Sequence, residues 1–210
     1  HGDVAIAQRL EKLGASALGV VTVEEGCGLR AAGVKLPILI FGTAFEDQIP
    51  DIVRFALTPV IGSKEQLKAF NKNFDSPTPV HLKFNSGMNR LGFPIEEATE
   101  VRELVAKSDK IQVVGLCTHF LKGDDIEAPS GYSWEQMRNF ARVEKLFAGF
   151  GGVVHYLNSA ALLSNFEPPK ENVLSQESGI GARPGISLYG ISPLEQTDSL
   201  GLEPILSLHS

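Results

Sequence analysis

The amino-acid sequence predicts an α/β protein of the (β/α)8 TIM-type barrel class, with the barrel's first strand missing from the chain. Three observations predict it. Seven apolar runs of β-type composition recur along the chain, with polar, helix-periodic segments between them. Several of these runs stay apolar at consecutive positions, as strands of a parallel sheet do when helices cover both faces. The chain opens on a helix with no strand before it, so one strand added upstream of His1 brings seven to the eight of a closed barrel. An open doubly wound sheet also fits the alternation; the strand count favours the barrel.

The elements follow in order. Asp3 to Leu13 is amphipathic and helical, with Gly14 as a stop. Strands are expected at "ALGVVTV" (17–23), "LPILIFG" (36–42), "ALTPVIG" (56–62), "PVHLKF" (79–84), "QVVGLCTHF" (112–120), "GVVHYL" (152–157) and "GISLYGI" (185–191). Helices are expected between them, in "EEGCGLRAAG", "EDQIPDIVRF", "SKEQLKAFNKN", "PIEEATEVRELVAKS" and "SWEQMRNFARVEKLFAGF". Ser63 with Gln66, and Ser133 with Gln136, carry the S-x-x-Q form of a capping box at two of these starts. Residues 1–197 are expected to form the incomplete barrel. After the polar stretch Glu195 to Ser199, "GLEPILSLHS" opens another β-like run, so residues 198–210 are expected to begin a C-terminal β-rich domain. Both ends therefore read as lying inside a longer protein.

Composition sets the outer limits. The 210 residues are 43% hydrophobic and 21% charged, enough apolar matter for a substantial core. A formal net charge of −6 argues against nucleic acid or an anionic membrane as a partner. No apolar run is long enough to span a bilayer, and the N-terminal residues lack the zones of a signal peptide. Cys27 and Cys117 are far apart and read as thiols of a reducing compartment, which makes the cytoplasm the expected location. His81, His119 and His155 all fall on expected strands, but no H-x-x-E or cysteine cluster accompanies them, so no metal site is expected.

Polar residues at the C-terminal ends of barrel strands face the active site in this architecture. Four groups qualify: Lys83 with Arg90 around the turn of "HLKFNSGMNRLGF", Thr118-His119, Asn158-Ser159, and Arg183, read as opening the last strand. A lysine and an arginine flanking a glycine turn suit an anion or a polarised ring. Ser159 offers a hydroxyl, and Gly185 and Ile186 offer unscreened backbone N–H groups, a common way to hold a phosphate. Structural readings stand beside these. Lys83 could snorkel to the surface, His119 could be a hydrogen-bonded core residue, Asn158-Ser159 could cap a helix, and Pro184-Gly185 could form a plain turn.

Taken together, "HLKFNSGMNRLGF", "GLCTHF", "NSAA", "RPGISLYG" and "GLEPILSLHS" resemble, in order along nearly the whole chain, the N-terminal barrel of the alanine racemase family, fold-type III enzymes dependent on pyridoxal 5'-phosphate. His1-Gly2 resembles the end of that family's "YGHG" motif. The resemblance implies a role for each residue. Arg183 would hydrogen-bond the pyridine nitrogen of the cofactor. Ser159, Gly185 and Ile186, with Asn158 beside them, would hold its phosphate. Arg90 would lie near the cofactor's phenolic oxygen and the substrate carboxylate, with a carbamylated Lys83 as its anionic partner. His119 would orient Arg183. Two departures concern loop geometry: Asn85 stands where the family usually has Asp, and "SGIGARPG" is longer and richer in glycine than usual.

The resemblance further implies interconversion of L- and D-alanine by two bases. These are a Schiff-base lysine expected before His1 and a tyrosine from the partner subunit of a homodimer, expected beyond Ser210. The chain is thus expected to carry the cofactor platform without either base, and to be inactive alone; Lys122 is the one local candidate for a substitute. Two other functions remain open at this level. One is a single-domain barrel that binds pyridoxal phosphate without turnover, against which "GLEPILSLHS" speaks. The other is a phosphate-binding barrel acting on sugar phosphates, favoured if Arg183 pairs with a carboxylate.

Overall fold

A computed structural model describes residues 2–125, 130–167, 180–195 and 200–205. In chain order the elements are α1 (Asp3–Lys12), β1 (Leu18–Val20), α2 (Val23–Ala31), β2 (Ile38–Ile40), α3 (Ile49–Arg54), β3 (Thr58–Ile61), α4 (Lys64–Asn73), β4 (Thr78–Asn85), β5 (Phe93–Pro94), α5 (Ala98–Ala106), β6 (Ile111–Cys117), α6 (Tyr132–Leu146), β7 (Val153–Leu157), α7 (Ser159–Leu163) and β8 (Ile180–Ala182). Short 3-10 turns occupy Glu46–Gln48, Ile95–Glu97 and Ile186–Tyr189. Among the described residues no helix is long and apolar enough to cross a membrane.

The chain divides into two compact units, the first made of residues 1–83 and 100–114. Within it β1, β2 and β3 pair in parallel, Leu18 opposite Ile38 and Ile40 opposite Pro59, and β3 meets β4 in parallel at Val60 and His81. Every residue of β2 and β3 is buried, the pattern of strands covered on both faces. Helix starts carry caps: Thr22 with Glu25 in a reciprocal box at α2, and at α4 Ser63 accepting from the Gln66 N–H while the Gln66 side chain accepts from the Gly62 N–H. The α1 helix stops where expected, with Gly14 in the left-handed region at φ 86°. The strand expected from Ala56 begins at Thr58 instead. Ala56 itself has φ 48°, and Arg30 donates to the carbonyls of Phe55 and Ala56, and also to those of Val34 and Leu36. One guanidinium thus satisfies acceptors that a strand would otherwise have paired.

The second unit holds residues 84–99 and 115–210. The end of β4 pairs in parallel with the two-residue β5, Phe84 opposite Phe93, and β6, β7 and β8 pair in parallel in that order. Aromatic side chains fill its core: Phe84 packs on Phe93 and Phe147, and Phe120 on Tyr156 and Phe166. Such burial is the main source of stability in a domain of this size.

Two expectations are corrected here. "GISLYGI" is not a strand: Ile186–Tyr189 forms a 3-10 turn closed by Gly190 at φ 76°, and the last strand lies earlier, at Ile180–Ala182. The Gly190 carbon has no room for a side chain, because a Cβ would fall 1.8 Å from the Glu203 carbonyl oxygen. Nor do Ser133 and Gln136 cap α6. The helix starts at Tyr132 after Gly131, and both side chains are fully buried and bonded to other segments. Of residues 198–210, only 200–205 are described; they carry no strand, and the Ile205 N–H donates to the Tyr189 carbonyl at 3.2 Å.

Candidate functional site

The corrected last strand changes how Arg183 is placed. It follows β8 instead of opening a strand, so it stands at the C-terminal ends of β6, β7 and β8 together with Thr118-His119 and Asn158-Ser159. Its backbone N–H donates to the Leu157 carbonyl at 2.7 Å, which fixes the residue beside the end of β7. Its guanidinium is held from two sides. One terminal nitrogen lies 2.6 Å from the His155 carbonyl and 2.7 Å from His155 Nδ1. The other lies 2.6 Å from the Thr118 carbonyl and 3.2 Å from His119 Nδ1. A guanidinium has only donors, so both imidazole Nδ1 atoms accept and each ring carries its proton on Nε2. Loss of hydration pulls the Arg183 pKa below its ordinary value, and the electrostatic influence of Cys117 opposes part of that pull. The arginine remains a cation near neutrality, in an orientation set by four acceptors.

His155 was not among the expected site residues, yet it supplies two of those four acceptors. A buried polar ring in the apolar run "GVVHYL" was the available signal, because such a ring needs a partner. Its partner came from a strand that "SGIGARPG" concealed.

A second cluster adjoins this one in sequence. Asn158 caps α7 by accepting from the Ala161 N–H at 3.0 Å, the structural role that its position allowed. Its amide also lies 3.4 Å from the Phe120 carbonyl. Ser159 is buried, and its hydroxyl oxygen accepts from the Gly185 N–H at 3.0 Å, the Ser187 hydroxyl at 3.1 Å and the Ser187 N–H at 3.4 Å. Ser159 is the acceptor in all three contacts, which share the two lone pairs of one hydroxyl oxygen. A Cβ built on Gly185 meets nothing within 4 Å, so open space borders this donor group. Ile186 begins the 3-10 turn with an exposed side chain. The expected backbone donor at Gly185 is thus engaged with Ser159 in this structure, and open space lies beside its Cα.

The remaining expected residues are placed singly. Lys83 is buried on β4. Arg90 is exposed in the loop after β4 and follows Asn89, which has φ 57°. Asn85 shapes that loop: its carbonyl oxygen accepts from the N–H of Gly87 and of Asn89, and its amide donates to the Asn89 side chain at 2.9 Å. Lys122 is exposed; its carbonyl accepts from Ser133 and from the Asp125 N–H. Among the described residues no group of three or more His, Cys, Asp or Glu could hold a metal ion.

Comparison with known proteins agrees with this geometry. The family described as "Alanine racemase, N-terminal domain" matches residues 1–193. The alanine racemase of Nostoc sp. is 33% identical across all of this chain and 54% of its own length, and that of Desulfovibrio desulfuricans is 34% identical across 99% and 55%. Among solved structures, alanine racemase of Clostridium difficile in complex with cycloserine superposes with a TM-score of 0.80 at 30% identity, over 97% of this chain and 55% of that one. The Bacillus anthracis enzyme with bound L-Ala-P gives 0.79 at 28% identity, over 97% and 52%. The chain thus spans about half the length of the relatives it matches. With their α/β barrel fold shared over nearly all its residues, the chain belongs to the alanine racemase family, in the part that forms the N-terminal domain.

Proposed function

We propose that the whole protein interconverts L- and D-alanine with pyridoxal 5'-phosphate, and that this chain supplies the platform that binds and orients the cofactor. The single observation that carries this reading is Arg183, a cation fixed by two carbonyls and two imidazoles at the ends of three parallel strands. When bound, the cofactor supplies the electron sink that acidifies the Cα–H of the amino acid. With both terminal nitrogens given to these four acceptors, the Nε–H of Arg183 is the donor that would meet the ring nitrogen. Because arginine keeps its own proton, the ring would stay a hydrogen-bond acceptor and a moderated sink. That would favour protonation at Cα over protonation at another carbon. Because the guanidinium is already fixed, little side-chain ordering opposes binding.

The second cluster would take the phosphate in the open space beside Gly185. Ser159 would donate its O–H, and the Ile186 N–H would donate from the start of the 3-10 turn. The Gly185 N–H, given to Ser159 Oγ in this structure, would turn from that hydroxyl to the anion. Arg90, on its shaped loop, meets the substrate carboxylate. Lys83, buried on β4, is the site of a carbamate. His119 keeps Arg183 oriented. Both proton-transferring groups, a lysine and a partner-subunit tyrosine, are expected outside residues 1–210, so this stretch by itself does not racemise alanine. The complete protein acts as a cytoplasmic homodimer, and the D-alanine serves cell-wall synthesis.

The test is racemisation of L-alanine by the full-length protein, read by D-amino-acid oxidase coupling, for wild type and Arg183→Lys. One ammonium cannot reproduce the fork of four bonds. Misplacement by about 1 Å is expected to lower kcat/KM by about 100-fold. A wild-type protein without racemase activity, or an Arg183→Lys variant with unchanged kcat/KM, refutes the proposal.

A further inference from the structure

We propose that Gln136 is a positioning residue for the Arg183 site, acting through His119 and the Ser86 turn. The link to cofactor binding rests on the function proposed above; the link to His119 does not. Gln136 lies on α6 with 0% exposure, a place an apolar side chain would ordinarily take. A buried amide is tolerated only where its hydrogen bonds are made, and here both ends are engaged. Nε2 donates to the His119 carbonyl at 3.0 Å and approaches Ser86 Oγ at 3.3 Å, while Oε1 accepts from the Leu121 N–H at 2.9 Å.

Those bonds grip the segment that supplies half of Arg183's acceptors. Thr118 and His119 lie beyond the end of β6. One amide bridges the groups on either side of Phe120. Ser86 Oγ lies 2.7 Å from Thr118 Oγ1, and the carbonyl of Thr118 receives Arg183. The same helix face secures both loops. Tyr132 Oη donates to the Gly87 carbonyl at 2.7 Å, Ser133 to the Lys122 carbonyl, and Asn139 to the Ser86 carbonyl at 3.3 Å. With Gln136 these residues follow the three- and four-residue spacing of one helical stripe. That stripe sets where the acceptors of Arg183 stand, and hence where its guanidinium can meet a ligand.

The test compares Gln136→Met and Gln136→Glu with wild type in the full-length protein. The first readout is 15N NMR of the His119 ring together with exchange of the Leu121 amide; the second is affinity for pyridoxal 5'-phosphate by fluorescence titration. Gln136→Met keeps the volume and loses every bond. It is expected to shift the His119 signals, speed exchange at Leu121 and weaken cofactor binding by about tenfold, as removal of supporting partners commonly does. Gln136→Glu keeps the acceptor for Leu121 but sets oxygen against the His119 carbonyl until its carboxyl is protonated and can donate. Burial raises that carboxyl's pKa, so Gln136→Glu should recover toward wild type as pH falls while Gln136→Met does not. Each value is taken as a ratio to wild type at the same pH. Unchanged His119 signals in Gln136→Met, or a Gln136→Glu variant that follows Gln136→Met at every pH, overturns the inference. Should Gln136→Met fail to fold, the pH recovery of Gln136→Glu decides. Should wild type bind no cofactor, the proposed function falls, and the His119 signals still decide the role of Gln136.

Discussion

Replacing Gly181 with alanine should damage the fold, while the same change four residues later at Gly185 should spare it. Gly181 sits on β8 opposite His155 of β7. A Cβ there lies 2.7 Å from the Cβ of His155 and 3.4 Å from the Val154 carbonyl oxygen. The first distance is inside van der Waals contact, and the obstacle is the root of a buried side chain, which cannot swing away as a flexible tip can. The strands must move apart, and overpacking of this kind costs about 1–3 kcal/mol. At roughly 3 °C per kcal/mol for a domain of this size, the melting temperature should fall by about 3–9 °C. The His155 contacts to Arg183, at 2.6 and 2.7 Å, would lengthen with the shift, so cofactor affinity should fall as well. At Gly185 nothing lies within 4 Å of the added carbon, so stability should stay within about 0.5 kcal/mol. Affinity for pyridoxal phosphate should still drop, because the methyl enters the space proposed for the phosphate. Thermal denaturation by circular dichroism and fluorescence titration, run on both variants of the full-length protein, separate the two effects. A Gly181→Ala variant as stable as wild type refutes the close-approach reasoning. A Gly185→Ala variant with unchanged affinity removes the phosphate from that position.

Two further outcomes are expected. Asn85→Asp keeps the acceptor for the N–H groups of Gly87 and Asn89 but places two oxygens about 2.9 Å apart, where an amide now donates to Asn89. It should cost about 1 kcal/mol in urea denaturation. Adding Asn89→Gly, which removes the second oxygen and accepts φ 57° readily, should restore the loss; a single variant as stable as wild type refutes the contact. Glu46 accepts from Asn73 at 2.9 Å and Lys72 at 3.1 Å, and these bonds hold its carboxyl pKa below the ordinary value. A lowered folded pKa gives stability that is present above the unfolded value and lost as pH falls through the folded one. Glu46→Gln should therefore flatten the acid-side decline of stability below about pH 4.5, and equal slopes in the two proteins would contradict this.

The residues that meet in the candidate site were legible in the sequence; several of their supports were not. Six of the seven expected strands appear near their predicted places, because long apolar runs bounded by turn residues have few other uses. Arg183, Ser159 and His119 could be selected for their side-chain chemistry alone. "SGIGARPG" and "GISLYGI" exchanged roles, and the reason is physical. Glycine weakens a strand locally and reads as loop, yet Gly181 is the residue that lets β8 approach His155. Gly190, in the left-handed region, closes a 3-10 turn that aliphatic composition had disguised as a strand. Ser133 and Gln136 match a capping box in spacing, but capping requires the first turn of a helix. With α6 beginning at Tyr132, both side chains turn inward to partners 11 to 50 residues away. Local spacing determines which groups a segment can offer. Which carbonyl, imidazole or amide each group meets is decided by contacts between segments distant in sequence, and those exist only in the folded chain.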